Sequence, residues 1–139
     1  MSLRAPLRWL LAALYLAAGW FHLARPGPFL TIMPGWVPLP GAVVLWTGIA
    51  EAAGALALVQ PWFPALRRAG AIGLALYAIA VFPANINHFA LDMARTEAGL
   101  GGGLPLAYHI PRMLLQPVLV WLALWAGGVT NWPFARRRP

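Results

Sequence analysis

Four apolar stretches, separated by short segments rich in Arg, Pro and Gly, organise this chain. They run from about Leu7 to Leu23, Gly41 to Val59, Ala69 to Leu91 and Arg112 to Val129. Stretches of this length suit α-helices that cross the ~30 Å hydrocarbon core of a bilayer. The pattern predicts an all-α fold, a single integral membrane domain over residues 1–139 built as a four-helix bundle. Pro83, inside the third stretch, removes the hydrogen bond to the Ile79 carbonyl and predicts a kink. Pro117 does the same near the start of the fourth, freeing the Met113 carbonyl. The first stretch also resembles a signal peptide, with Arg4 and Arg8 ahead of it and small residues in LAAG. We read it as a retained span.

The polar interruptions are few and ordered. Glu51 is the one charge in GAVVLWTGIAEAAGALALV. A carboxylate at such depth costs several kcal/mol unless neutral or paired, which makes it a functional-site hypothesis. Thr47 shares its face, among the small residues Gly48, Gly54 and Ala55. In the third stretch Asn85, His88 and Asp92 follow i, i+3, i+7, one helical face. His109, Arg112 and Gln116 repeat that spacing, provided the fourth helix begins as early as His109. Tyr15, Gly19 and His22 share a face by i, i+4, i+7. These groups all fall between the midplane and one end of the spans, whereas the other halves of spans three and four are nearly pure Ala, Leu, Ile, Val and Trp. The asymmetry predicts a polar cavity with Glu51 as its floor. We expect Glu51 to pair with Arg112, with Gln116 and Asn85 completing the hydrogen bonds. Thr47, Tyr15 and Asn87 read as interhelical glue. The apolar, proline-rich loop RPGPFLTIMPGWVPLPG reads either as a stiff connector or as a lid, anchored by Phe29, Ile32 and Trp36.

Composition supports the membrane reading. The chain is 61% hydrophobic and 9% charged, against roughly 25% charged residues in a soluble domain. All ten basic residues are Arg. Arg4, Arg8, Arg67, Arg68, Arg136, Arg137 and Arg138 fall on one side, and Arg25, Arg95 and Arg112 on the other. That bias places both termini in the cytoplasm and the proline-rich first loop outside. Trp9, Trp62 and Trp132 near one interface, and Trp20 and Trp36 near the other, fit an aromatic belt. The net charge of +7 does not point to nucleic acid, because no basic stretch is interleaved with aromatics. Without cysteine, thiolate catalysis, disulfide exchange, iron–sulfur clusters and Cys-based zinc sites are excluded. GLGGG at 99–103 is a flexible linker and no phosphate loop, since no GK[ST] follows. His88 and Asp92 have the i, i+4 spacing of a helical metal pair, but there is no HExxH motif. Haem or metal is the weaker reading, and no metal site is assigned.

GWFHLARPGPFLTIMPGWVPLP, TGIAEAAGALALV, VFPANINHF and PRMLLQPVLVW together resemble the DoxX-like family of small four-helix bacterial membrane proteins. The resemblance runs from span one through span four. It implies a bacterial plasma-membrane bundle linked to membrane redox complexes, since the family's namesake is a small subunit of a thiosulfate:quinone oxidoreductase. The function expected is an accessory subunit that binds a quinone or another lipophilic small molecule. Glu51 and His88 are the expected proton-handling residues. His22, Asn85, His109, Arg112 and Gln116 are the expected ligand contacts. The chain encodes no electron carrier, so a partner protein, or a second copy, is expected beside membrane lipid. The alternative is a non-enzymatic assembly or scaffold subunit whose polar cluster is structural. Any thiol-based role found among relatives cannot transfer to a chain without cysteine.

Overall fold

The computed structural model describes residues 3–134, and the described part is built from helices. Arg136, Arg137 and Arg138 lie outside the described residues. The helices are α1 (Arg4–Ala24), α2 (Gly27–Thr31), α3 (Pro40–Val59), α4 (Pro64–Ala80), α5 (Phe82–Glu97) and α6 (Leu106–Ala126). Pro40 and Pro64 open α3 and α4, positions where a missing N–H costs nothing. Among the described residues three segments are long and apolar enough to cross a membrane: α1, α3, and α4 with α5 taken together. Helix α6 has 21 residues, but His109, Pro111, Arg112, Gln116 and Pro117 all fall between its N-terminus and its middle turn, and it does not reach that standard.

The third apolar stretch is two helices. The break falls at Val81, whose N–H still bonds the Tyr77 carbonyl at 3.0 Å, and Pro83 sits in the first turn of α5. The expected kink is therefore a restart, two residues ahead of the proline. Helix α6 runs unbroken through Pro111 and Pro117 and starts early enough to carry His109 on its face with Arg112 and Gln116.

Packing follows the order α1–α3–α4–α6, and α6 closes the ring against α1. The α1–α3 seam is the most extensive, and glycine sets it. A Cβ on Gly19 would stand 2.8 Å from the Gly48 carbonyl oxygen, and one on Gly48 would stand 2.8 Å from Cβ of His22. Only glycine allows this approach, which presses the His22 turn of α1 onto the Glu51 turn of α3. The core proper, with Leu11, Leu58, Leu74, Ala55, Ala71 and Ala123, fills the end of the bundle near the two ends of the described chain. There Arg8 donates from Nε to the Ala126 carbonyl at 2.9 Å, satisfying an orphan carbonyl at the end of α6. Arg4 donates to Asn131 Oδ1 at 2.7 Å. The two ends of the described chain thus meet on one side of the bundle. Large apolar side chains such as Trp46, Leu56, Leu76, Ile79 and Leu114 are exposed on the helix exteriors, a surface of the kind that meets a membrane or a partner.

Candidate functional site

Toward the opposite end the ring opens into a cavity of about 580 Å³. Leu11, Leu14, Val43, Val44, Leu115 and Leu119 give it apolar walls. Its polar lining is His22 and Tyr15 from α1, Thr47 and Glu51 from α3, Tyr77 from α4, Asn85 from α5, and Arg112 and Gln116 from α6. Phe29, Ile32, Met33 and Trp36 cover it from the proline-rich loop. Two contacts hold that cover down. Phe29 stacks on the His22 ring with centroids 3.7 Å apart, and Asn87 donates from Nδ2 to the Ile32 carbonyl at 2.9 Å. The loop is therefore a wall of the cavity, and Asn87, read from sequence as interhelical glue, pins it.

Glu51 is 2% exposed and meets His22, whose Nδ1 lies 2.7 Å from Oε2. The same Nδ1 lies 3.0 Å from the Ala18 carbonyl, which can only accept, so Nδ1 carries a proton and aims it along its own helix. Glu51 Oε2 is left in close contact with an imidazole but without a hydrogen bond of its own. From α4, Tyr77 reaches the same carboxyl with its hydroxyl. Tyr15 packs edge-on against Tyr77, centroids 6.0 Å apart, and its hydroxyl is buried without a partner. A cavity lined mostly by hydrocarbon thus contains a buried hydroxyl without a partner, Tyr15 Oη, and an acid oxygen, Glu51 Oε2, with a close but poorly directed His22 contact. Leaving such a group unpaired costs about 1–3 kcal/mol, a cost that a ligand's polar group removes.

The expected Glu51–Arg112 pair does not form. Arg112 donates from Nη1 to His88 Nδ1 at 2.9 Å, and it stands over the Tyr108 ring at 5.7 Å. Gln116 and Asn85 do not complete hydrogen bonds to Glu51 either. Asn85 donates to Gln116 Oε1 at 3.4 Å, and Gln116 donates to the Ala78 carbonyl at 2.6 Å. That carbonyl belongs to the last turn of α4, where intrahelical donors run out. Gln116 therefore ties α6 to the break between α4 and α5. His88 and His109 are not in the cavity lining. They converge on Asp92, whose Oδ2 lies 3.1 Å from His88 Nε2 and 3.0 Å from His109 Nε2, and also accepts the Leu104 N–H at 3.1 Å. Arg112 has only donors, so His88 Nδ1 accepts and its Nε2 proton goes to Asp92.

Of the expected site residues, the structure brings Glu51, His22, Asn85, Arg112 and Gln116 to one cavity and moves His88 and His109 to a second cluster beside it. Tyr77 was missed. Its signal was present, because Tyr77 lies four residues before Val81 on the helix that Pro83 interrupts, but nothing in the sequence shows that face turned toward Glu51. Tyr15 was read as glue, although it shares the face of His22.

A family model matches residues 11–127, from the second turn of α1 to the end of α6, and is described as a domain of unknown function (DUF8561). No curated protein and no solved structure matches the chain.

Proposed function

The chain belongs to this DUF8561 family, and we propose that the function it carries there is to hold a lipophilic small molecule with a polar head, a quinone or similar, in the cavity around Glu51. The observation that carries this reading is the unpartnered Tyr15 hydroxyl beside the Glu51 carboxyl, whose Oε2 has the His22 ring in close contact but no well-directed hydrogen bond, both buried in a mostly apolar cavity of about 580 Å³. A carbonyl or hydroxyl on a flat apolar ring satisfies both needs: it takes the Tyr15 proton, and as a hydroxyl it gives one to the carboxylate. The proteins of the DoxX-like family, which the sequence resembles, suggest the setting: an accessory subunit of a membrane redox system. Reducing a quinone takes two electrons and two protons. This chain encodes no electron carrier, so a partner protein delivers the electrons, while Glu51 and His22 pass protons to the quinone oxygens. His88, outside the cavity lining, drops from that relay.

The same reading makes the chain a four-helix bacterial plasma-membrane bundle in which α4 and α5 together make the third crossing and α6 the fourth. The seven-to-three division of Arg puts both termini in the cytoplasm and the loop-covered cavity in the outer half.

The test is equilibrium binding of a short-chain benzoquinone to the protein in nanodiscs, followed by quenching of tryptophan fluorescence. Glu51→Gln and Tyr15→Phe should each weaken binding by about tenfold, the worth of one good hydrogen bond in a dry site. Wild-type affinity in both variants would move the head group away from Glu51. Unchanged quinone-dependent turnover of Glu51→Gln in native membranes would remove the proton relay.

A further inference from the structure

His88, Asp92 and His109 present one ligand atom each, all within 4.8 Å of one another, at the end of the bundle where α5 meets α6. Asp92 and His109 are buried, and a second cavity of about 330 Å³ opens beside the cluster, reaching His88, Asp92 and Leu104. Two imidazole nitrogens lie 3.1 and 3.0 Å from one carboxylate oxygen. Three ligands at about 2.0–2.2 Å from one tetrahedral ion stand about 3.3 Å apart, so the cluster needs a few tenths of an ångström of expansion along those two edges and a closing of the third, His88 to His109, which lies within 4.8 Å. His88 and Asp92 are one turn apart on α5, so a single rigid element presents two of the three ligands. The Leu104 N–H steadies Asp92 Oδ2 in the way outer-shell donors orient ligating carboxylates. The adjoining cavity leaves room for water in the remaining position.

We infer that His88, Asp92 and His109 form a binding site for a divalent transition-metal ion, which Arg112 holds closed. Two imidazoles and one carboxylate suit zinc, iron, manganese or cobalt, and disfavour calcium and magnesium, which take oxygen ligands. The closing element is specific. Arg112 donates to His88 Nδ1, which forces the proton onto Nε2, the nitrogen the metal needs. A metal-bound His88 carries its proton on Nδ1 and requires an acceptor there, and a guanidinium cannot accept. Metal entry therefore takes the place of the Nε2 protons, which pass through water to Nδ1 of each ring, and moves Arg112 off His88. The ordinary alternative is a hydrogen-bonded brace with no metal, in which Arg112 supports the cluster.

The two readings predict opposite results for Arg112→Gln. The amide oxygen of Gln can accept the Nδ1 proton of His88, so the metal site gains the orienting partner it lacks. The full chain, purified in neutral detergent with a tag free of histidine and stripped with a chelator, is titrated with Zn²⁺ by calorimetry and with Co²⁺ by visible absorption. We expect one ion per chain, with the bands of a low-coordinate cobalt site, and about tenfold tighter binding in Arg112→Gln, within the ~10–100-fold range of such outer partners. His109→Gln should abolish the cobalt spectrum. Absence of binding in both wild type and Arg112→Gln overturns the inference. So does weaker binding in Arg112→Gln, or a metal stoichiometry that His109→Gln leaves intact. Because Arg112→Gln keeps all three ligands, its result does not depend on a disrupted cluster, and none of these outcomes bears on quinone binding at Glu51.

Discussion

Glu51 is an acid buried in a mostly apolar cavity, with His22 Nδ1 2.7 Å from Oε2 and 3.0 Å from the Ala18 carbonyl. A group whose role is only to hold helices together is better served by an amide, which carries no charge to desolvate. Glu51→Gln should therefore raise the thermal midpoint of the ligand-free protein, by roughly 1–3 kcal/mol of relieved desolvation, while weakening quinone binding. A scan with and without ligand separates the two effects, and a drop in the ligand-free midpoint would show that Glu51 is a structural acid. At this scale the sequence named the acid and failed on its partner. Isolation in an apolar run is visible in one dimension. Which side chain reaches the carboxyl depends on the distance between two helices, and Gly19 against Gly48 brought α1 close enough for the His22 ring to stand where Arg112 was expected.

Among the elements, the break between α4 and α5 is the decisive one. The helix breaks at Val81, and the Ala78 carbonyl just before the break takes its donor from Gln116 of α6. Gln116→Leu should leave that carbonyl bare and cost about 1–3 kcal/mol, measured as a fall in the thermal midpoint. Gly48→Ala should be costly too, by about 1–3 kcal/mol, because its Cβ collides with the His22 turn at 2.8 Å. It should also separate His22 from Glu51, so quinone binding falls with stability. A Gly48→Ala variant as stable as wild type would show that the seam is looser than its geometry. Proline positions and small-residue faces were legible in the sequence, because backbone chemistry acts within a turn or two. The role of Gln116 was not, since its partner lies 38 residues away.

For the whole molecule, the contacts of Arg8 with the last residue of α6 and of Arg4 with the segment after it bring both ends of the described chain to one side, and the loop-covered cavity faces the other. Which side meets the cytoplasm follows, on our reading, from the distribution of arginine. The native chain has no cysteine, so single cysteines report topology cleanly. Trp36→Cys should react in intact cells with an impermeant maleimide, and Trp62→Cys only after lysis; both side chains are well exposed. The reverse result would invert the bundle. The loop over the cavity is fastened by the stacking of Phe29 on His22 and by Asn87. Asn87→Ala should speed quinone dissociation in stopped-flow measurements while altering the association rate in the same direction, the signature of a loosened cover.

The helical class, the apolar lengths, an interruption near Pro83, the buried acid and the end of the bundle where polar groups gather were all legible along the chain, the interruption as a kink where the fold has a restart. Each of these depends on periodicity or on backbone chemistry within a few residues. Only the tertiary structure decided who meets whom: His22 with Glu51, Arg112 with His88, and His109 with Asp92. Spacing along a helix places a side chain on a face. The choice of partner rests on how closely and at what height that face meets its neighbour, and those distances are set by packing across the whole bundle.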